Sequence, residues 1–209
     1  MDVEAIPARL SQEIIATKTI LERNVKRYDF QPDRIVADGS YGTGPFLAWL
    51  LRRDVTPHIP VLDRKHQTNG KYDNSHFQYD ADRDSFTCLE GHEMPPRRIK
   101  KNERIKSYYA SKETYGACPI QKACADAPFR TVTRHMDEDV RQTVRDLKHT
   151  WQYEESRRRR KKVEMLFAHF KRHLGIRRLR LRGLKGANEK FLLAATAQNL
   201  KRLAKTGPS

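Results

Sequence analysis

Cysteine is scarce: Cys88, Cys118 and Cys124 are the only three in 209 residues. An odd, sparse set cannot close a disulfide framework, and it fits either free thiols or a metal site in a reducing compartment. Long apolar runs are also missing. No window approaches the ~18–20 apolar residues of a spanning helix, and the acidic start "MDVEAIPARL" lacks the cationic lead of a signal peptide. Apolar residues make up 37% of the chain and mean hydropathy is −0.84, so a modest core under a highly charged surface is expected. No internal repeat is visible. The most informative shortage is local. Between Arg157 and Lys185 stand 13 Lys and Arg and one carboxylate, Glu164, a balance of +12 within a total of +16. The other 180 residues hold 29 bases and 25 acids.

A cationic segment of this kind draws polyanions by counterion release and long-range attraction. Few apolar residues accompany it, which favours nucleic acid over an anionic membrane as partner and a cytoplasmic setting.

What is present reads as alternating elements. Leu10, Ile14, Leu21, Val25 and Tyr28 recur at helical spacing and predict an amphipathic helix over 8–28, ended by "FQPD". "RIVAD" predicts a short buried strand closing at Asp38, "GSYGTG" a loop, "GPFLAWLLRRD" a helix with Pro45 in its first turn, and "HIPVLD" a second strand. That order is the signature of a parallel α/β unit, with Pro60 toward an edge. From Arg64 to about His149 the chain turns polar and loses helical period, which predicts an inserted module; within it "HFQYD" and "DSFTC" pair as a hairpin about "ADR". The core resumes in "SRRRRKKVEMLFAHFKRHLG", where Val163, Leu166, Phe167, Phe170 and Leu174 form an apolar face expected to dock on a sheet. "RLRLRGLKGAN" alternates before its glycines, and "EKFLLAATAQNLKRLAK" predicts a closing helix. The expected organisation is 1–63 and 150–209 as parts of one α/β core, with 64–149 inserted.

Two acids stand where chemistry is possible. Glu164 shares a helical stripe with Arg160 and Lys171, either as one half of an ordinary i, i+4 ion pair or as an acid displayed among cations. Asp38 closes a strand at the carboxyl edge of a parallel sheet, where α/β proteins bind ligands, although Asp-Gly is also a common turn dipeptide. "GSYGTG" lacks the Lys-Ser/Thr ending of a phosphate loop. Carboxylates from distant sequence can share Mg²⁺ or Mn²⁺, and a metal beside a cationic groove suits phosphodiester chemistry. Cys88, His92, Cys118 and Cys124 are a possible four-ligand Zn²⁺ set, with unpaired thiols as the alternative. His169 and His173, at i, i+4, read as part of the basic helix surface, and "DADRD" (80–84) as a solvated turn, because it lacks the Gly and Glu of a calcium loop.

"ADGSYGTGPFLAWL", the Arg160-x3-Glu164-x6-Lys171 stripe, "YGACPIQKAC" and "RLRLRGLKGANEKFLLAATAQNLKRL", in this order, resemble the carboxyl-terminal half of bacterial insertion-sequence DDE transposases. The resemblance implies a ribonuclease-H-like fold, incomplete at its amino end, carrying a polar, Cys-containing insertion. It implies Asp38 and Glu164 as the second and third catalytic acids and Mg²⁺ or Mn²⁺ ligands. Arg157, Arg158, Arg159, Arg160, Lys171, Arg172, Arg177 and Arg178 become the DNA contacts, and the partners become transposon ends and target DNA, with a possible homodimer, in the bacterial nucleoid. Two departures go with it. Arg157 stands where the family signature has Tyr, with Tyr153 a turn earlier, and Tyr115 stands where the first Cys of the family's zinc-knuckle pair is expected. The family's first Asp lies on a strand ahead of a segment like "DVEAIPARLSQEI", and 2–38 leaves no room for the strands between first and second acids; this predicts a truncated form that binds DNA without cutting it. The alternative is a non-enzymatic nucleic-acid-binding remnant, with an RNA-associated protein as a third possibility.

Overall fold

The computed structural model describes residues 3, 5–6, 10–61, 70–176 and 182–206. Its helices are α1 (Leu10–Tyr28), α2 (Gly44–Leu51), α3 (Lys112–Gly116), α4 (Gln121–Cys124), α5 (Glu138–Leu147), α6 (Trp151–His173) and α7 (Gly183–Thr206). Its strands are β1 (Arg34–Val36), β2 (Thr56–His58), β3 (Gln78–Asp80), β4 (Ser85–Thr87), β5 (Glu93–Met94), β6 (Pro96–Lys100), β7 (Ile105–Tyr108) and β8 (Val132–His135). The chain is mixed α/β and divides into two compact units, Met1–Pro60 with Val144–Ser209, and Val61–Thr143.

The first unit is built on a parallel pair, β1 beside β2, in the register Arg34↔Thr56 and Val36↔His58. The crossover is α2, with Pro45 in its first turn, where a missing N–H costs nothing. Phe46, Leu47 and Leu50 of α2 are at most 1% exposed, and Val55 and Ile59 are buried with them. Each such side chain contributes ~1.5–3 kcal/mol relative to exposure. α1 occupies the predicted stretch, but Val25 and Tyr28 are 37% and 69% exposed and Ala16 is its buried member.

Three expectations for this unit need correction. β1 stops at Val36 and is half-exposed rather than buried, because Asp38 turns into a 3₁₀ segment, Gly39–Tyr41, by accepting the Ser40 N–H. The second strand is Thr56–His58, upstream of "HIPVLD", which removes Pro60 from the sheet but places Pro57 in it; Leu62 and Asp63 lie outside the described residues. The apolar face of α6 does not dock on the sheet. Val163, Leu166 and Phe167 are 49%, 37% and 60% exposed, and Phe170 is buried against Ala194 and Ala195 of α7, a helix. α7 begins at Gly183, which enters it in the left-handed region at φ 76°, so Gly186 of "RGLKGAN" is helical, while the alternation at 177–181 lies outside the described residues.

The second unit carries two antiparallel sheets, β3-β4-β5 and β6-β7-β8. The predicted hairpin is present in the register Gln78↔Thr87 and Asp80↔Ser85. Phe77, Phe86, Met94, Tyr108, Tyr115, Cys124 and Val132 form its core. "DADRD" is more than a solvated turn. Asp80 accepts the N–H groups of Asp82 and Arg83, and Asp84, in the left-handed region at φ 47°, accepts from Tyr79 (2.8 Å), Tyr108 (2.7 Å) and Lys106 (2.5 Å). Burial pushes the Asp84 carboxyl up, but these bonds outweigh it and hold it below its ordinary value.

Candidate active site

The face of α6 that meets the sheet is polar and lies nearer its amino end. Thr150 caps the helix by accepting the Tyr153 N–H. Tyr153, Ser156 and Arg160 then follow at i, i+3 and i+7, one stripe of the helix. Tyr153 is 8% exposed with its ring 5.2 Å from that of His58, and Ser156, 2% exposed, has its hydroxyl 2.7 Å from His58 Nδ1. Burial and the charge of Arg34 push His58 down from its ordinary pKa, so the imidazole is neutral near pH 7. The buried His58–Ser156 pair therefore fixes α6 against the end of β2. Sequence inspection could not find it, because the partners are 98 positions apart and neither belongs to a motif.

The same stripe carries Arg160 to the carboxyl end of β1. Its Nη1 donates to the Ala37 carbonyl at 3.5 Å, and its Nε lies 3.2 Å from Glu164 Oε1. Glu164 sits one further turn along, ~6 Å of helix rise. Asp38 follows Ala37 directly. Its Oδ1 accepts the Ser40 N–H at 2.9 Å and also the Ser40 hydroxyl, and among the described residues its other oxygen has no hydrogen-bond partner. The Ser40 bonds and then the Arg160 charge hold the Asp38 carboxyl below its ordinary value, so it is ionised at neutral pH. One guanidinium thus links the backbone beside Asp38 to the carboxylate of Glu164, although the acids are 126 positions apart. The ion pair expected between Arg160 and Glu164 exists, and it also spans to the strand end.

The loop after Asp38 is held tightly. A Cβ on Gly42 would stand 2.6 Å from the Pro60 carbonyl oxygen, closer than any side chain can sit, so this glycine answers to backbone approach rather than to phosphate. A polar cavity lined by Asp33, Arg34, Thr56, His58, Thr150 and Gln152, among others, does not include Asp38.

Several expected DNA contacts are partly neutralised. Arg157 pairs with Glu154 at 2.9 Å and Arg159 with Glu155 at 2.6 Å, while Glu155 also meets Arg34 at 3.4 Å. Arg158, Lys171 and Arg172 are exposed, and Arg177 and Arg178 lie outside the described residues. His169 and His173 stack with ring centroids 4.8 Å apart, and burial, His173, Lys201 and Lys205 push His169 down from its ordinary pKa.

The four residues expected as zinc ligands all belong to the second unit. Cys88, His92, Cys118 and Cys124 line one cavity of the second unit, yet among the described residues no group of three or more His, Cys, Asp and Glu is placed to hold a metal ion. All three cysteines are free. Burial pushes the Cys124 thiol up. Tyr115, standing where the family pattern has its first Cys, turns its hydroxyl to the carbonyls of Gln121 (3.1 Å) and Ala125 (3.3 Å) and so ties this loop together.

The model of the transposase DDE domain matches residues 87–204, more than half of the chain. The chain belongs to the DDE transposase-domain family. The match takes in Arg160, Glu164 and Lys171, while Asp38 lies ahead of it. No curated protein and no solved structure gives a match. DDE-domain membership brings with it DNA as the material acted on and metal-dependent chemistry in general. Among the described residues no helix is long and apolar enough to cross a membrane.

Proposed function

We propose that this DDE-domain chain contributes Asp38 and Glu164 to a divalent-metal site that acts on DNA phosphodiesters in transposition, within a ribonuclease-H-like core, in the bacterial cytoplasm. The observation that carries this is the double engagement of Arg160, with the backbone preceding Asp38 on one side and Glu164 on the other. Hard carboxylate oxygens suit Mg²⁺ or Mn²⁺. Asp38 is ionised and retains an unengaged oxygen, and the Glu164 side chain is 62% exposed, so both fit such an ion. A bound divalent ion would activate a water or 3′-hydroxyl and neutralise charge on the phosphate.

The chain's own groups have separable roles. Ser40 orients Asp38 by taking one of its oxygens. Tyr153, Ser156 and His58 seat α6 so that Glu164 is delivered just past the strand end. Arg160 is the internal counterion of Glu164, and Arg158, Lys171 and Arg172 grip the backbone without reading bases.

Two carboxylates fall short of what two bridged ions require, and among the described residues no third acid joins them. These 209 residues are therefore expected to bind DNA without cutting it. The alternative, a non-enzymatic binder, draws on the same shortage and takes the Arg160–Glu164 pair as a plain helix ion pair. Mn²⁺ titration followed by electron paramagnetic resonance separates the two: Asp38→Asn and Glu164→Gln should each weaken Mn²⁺ binding several-fold, and no effect of either would leave the binder. A plasmid-nicking and strand-joining assay with Mg²⁺ or Mn²⁺ checks the acid count. Robust cleavage abolished by Glu164→Ala would show that two carboxylates suffice.

A further inference from the structure

The positive charge outside Arg157–Lys185 is also localised. Of the 29 bases and 25 acids there, residues 96–106 hold six Lys and Arg and one Glu, a local balance of +5. Without those 11 positions the remaining 169 residues carry 23 bases and 24 acids. The excess therefore sits in two places, and the second is the β6–β7 hairpin of the second unit.

This hairpin is shaped to meet a partner. β6 is an edge strand of its sheet, paired to β7 alone, and Pro96, Arg97, Arg98 and Ile99 are all exposed, so both faces of the strand are open. Lys100, Arg104 and Lys106 are committed to Glu103, Asp137 and Asp84. Arg97, Arg98 and Lys101 form no ion pair among the described residues. The tip is held rigid. Arg104, at φ 53°, donates its N–H to the Lys101 carbonyl at 3.1 Å and grips Asp137 with two guanidinium bonds of 2.8 and 2.6 Å, while its own carbonyl accepts the Met136 N–H at 2.8 Å. A preorganised tip loses little freedom on binding.

We propose that the β6–β7 hairpin is a second backbone-binding surface for duplex DNA, with Arg97, Arg98 and Lys101 contacting phosphates. A two-stranded ribbon has the width a duplex groove admits, and three unpaired cations within five residues, exposed on both faces of the strand, supply the charge that phosphate contacts need. The bland account is edge protection, since exposed Lys and Arg deter strand-to-strand aggregation. It predicts no counterion release from DNA.

The test uses the full chain and a fluorescently labelled duplex of random sequence, with affinity read by anisotropy across a salt series. Arg97→Ala/Arg98→Ala/Lys101→Ala should weaken binding for all sequences alike and reduce the slope of log K against log salt by about 2–3, at ~0.9 per lost phosphate contact. The Gln triple variant, which retains side-chain length and strand character, should behave the same. Replacing Arg157 to Arg160 tests α6 separately, and a hairpin effect that persists in that background stands whether or not the α6 assignment does. An unchanged slope in both triple variants, with circular dichroism and melting like the parent, overturns the proposal. Increased aggregation with an unchanged slope also overturns it, in favour of edge protection, as does loss of binding to anionic vesicles with duplex affinity intact.

Discussion

Residues 61–143 close seven side chains into one aromatic-rich cluster, whereas the unit formed by 1–60 and 144–209 leaves Met165, Phe167, Leu193 and Leu203 at least 60% exposed. The second unit satisfies the acid beside its aromatic core internally. Asp84 takes two tyrosine hydroxyls and a lysine, and Arg134 lies over the Tyr79 ring at 4.1 Å. The first unit instead leaves Asp38 and Glu164 open to solvent at the end of a three-residue strand. The contrast separates a part built around one closed aromatic core from a part whose acids are left open to solvent. Groups aimed at a ligand cannot also be fully satisfied within the fold, and the open acids of the first unit and the free cations of the β6–β7 hairpin both follow that rule.

The contrast can be broken most severely at Tyr108, fully buried in the aromatic cluster. Tyr108→Ala should cost the second unit about 3–5 kcal/mol. Both tryptophans, Trp49 and Trp151, belong to the first unit, so urea unfolding followed by tryptophan fluorescence reports that unit, while circular dichroism reports both. The expected result is a dichroism transition that moves and a fluorescence midpoint that does not. Equal movement of both would mean that the units unfold as one and that the contrast has no thermodynamic content.

The reverse experiment is Gly42→Ala. The added Cβ meets the backbone oxygen of Pro60 at 2.6 Å, so the loop or the strand end must shift, at a cost of about 1–3 kcal/mol. The loss should show in tryptophan fluorescence and spare the second unit.

Acid sharpens the comparison with a smaller effect. His58 has a depressed folded pKa, so the unfolded chain takes up its proton first; its contribution is full above about pH 6.5 and is lost as pH falls through the folded value. Asp84 is likewise depressed, which places its contribution above about pH 3.9, with loss as pH falls through its folded value. His58→Gln should therefore flatten the fluorescence-monitored stability of the first unit as pH falls below about 6.5. Asp84→Asn should flatten the second unit's dependence below about pH 4. Burial also pushes His135 down, but it belongs to the second unit, which holds no tryptophan. An unchanged fluorescence profile in His58→Gln would remove the pair with Ser156 as the anchor of α6.

The sequence by itself determined the elements whose causes are local. α2 follows from an unbroken apolar run with Pro45 in its first turn, the β3–β4 hairpin from two apolar-polar segments about a polar link, and Asp38 as a turn-forming acid from the Asp-Gly-Ser order. It also determined the concentration of cations around Glu164, since charge is a sum over residues and needs no coordinates. The tertiary structure alone decided which face of α6 meets the sheet. Periodicity gave Val163, Leu166 and Phe167 the inward side because apolar spacing is the strongest helical signal. The sheet is only two short strands, too small to cover that stripe, and the Tyr153–Ser156–Arg160 stripe is seated by His58, 98 positions from Ser156. The link from Glu164 to the end of β1 is likewise a product of packing, because an arginine's donors are assigned by what lies within reach and not by its neighbours in sequence. So is the gathering of Cys88, His92, Cys118 and Cys124 around one cavity, because residues up to 36 positions apart are brought together only by packing.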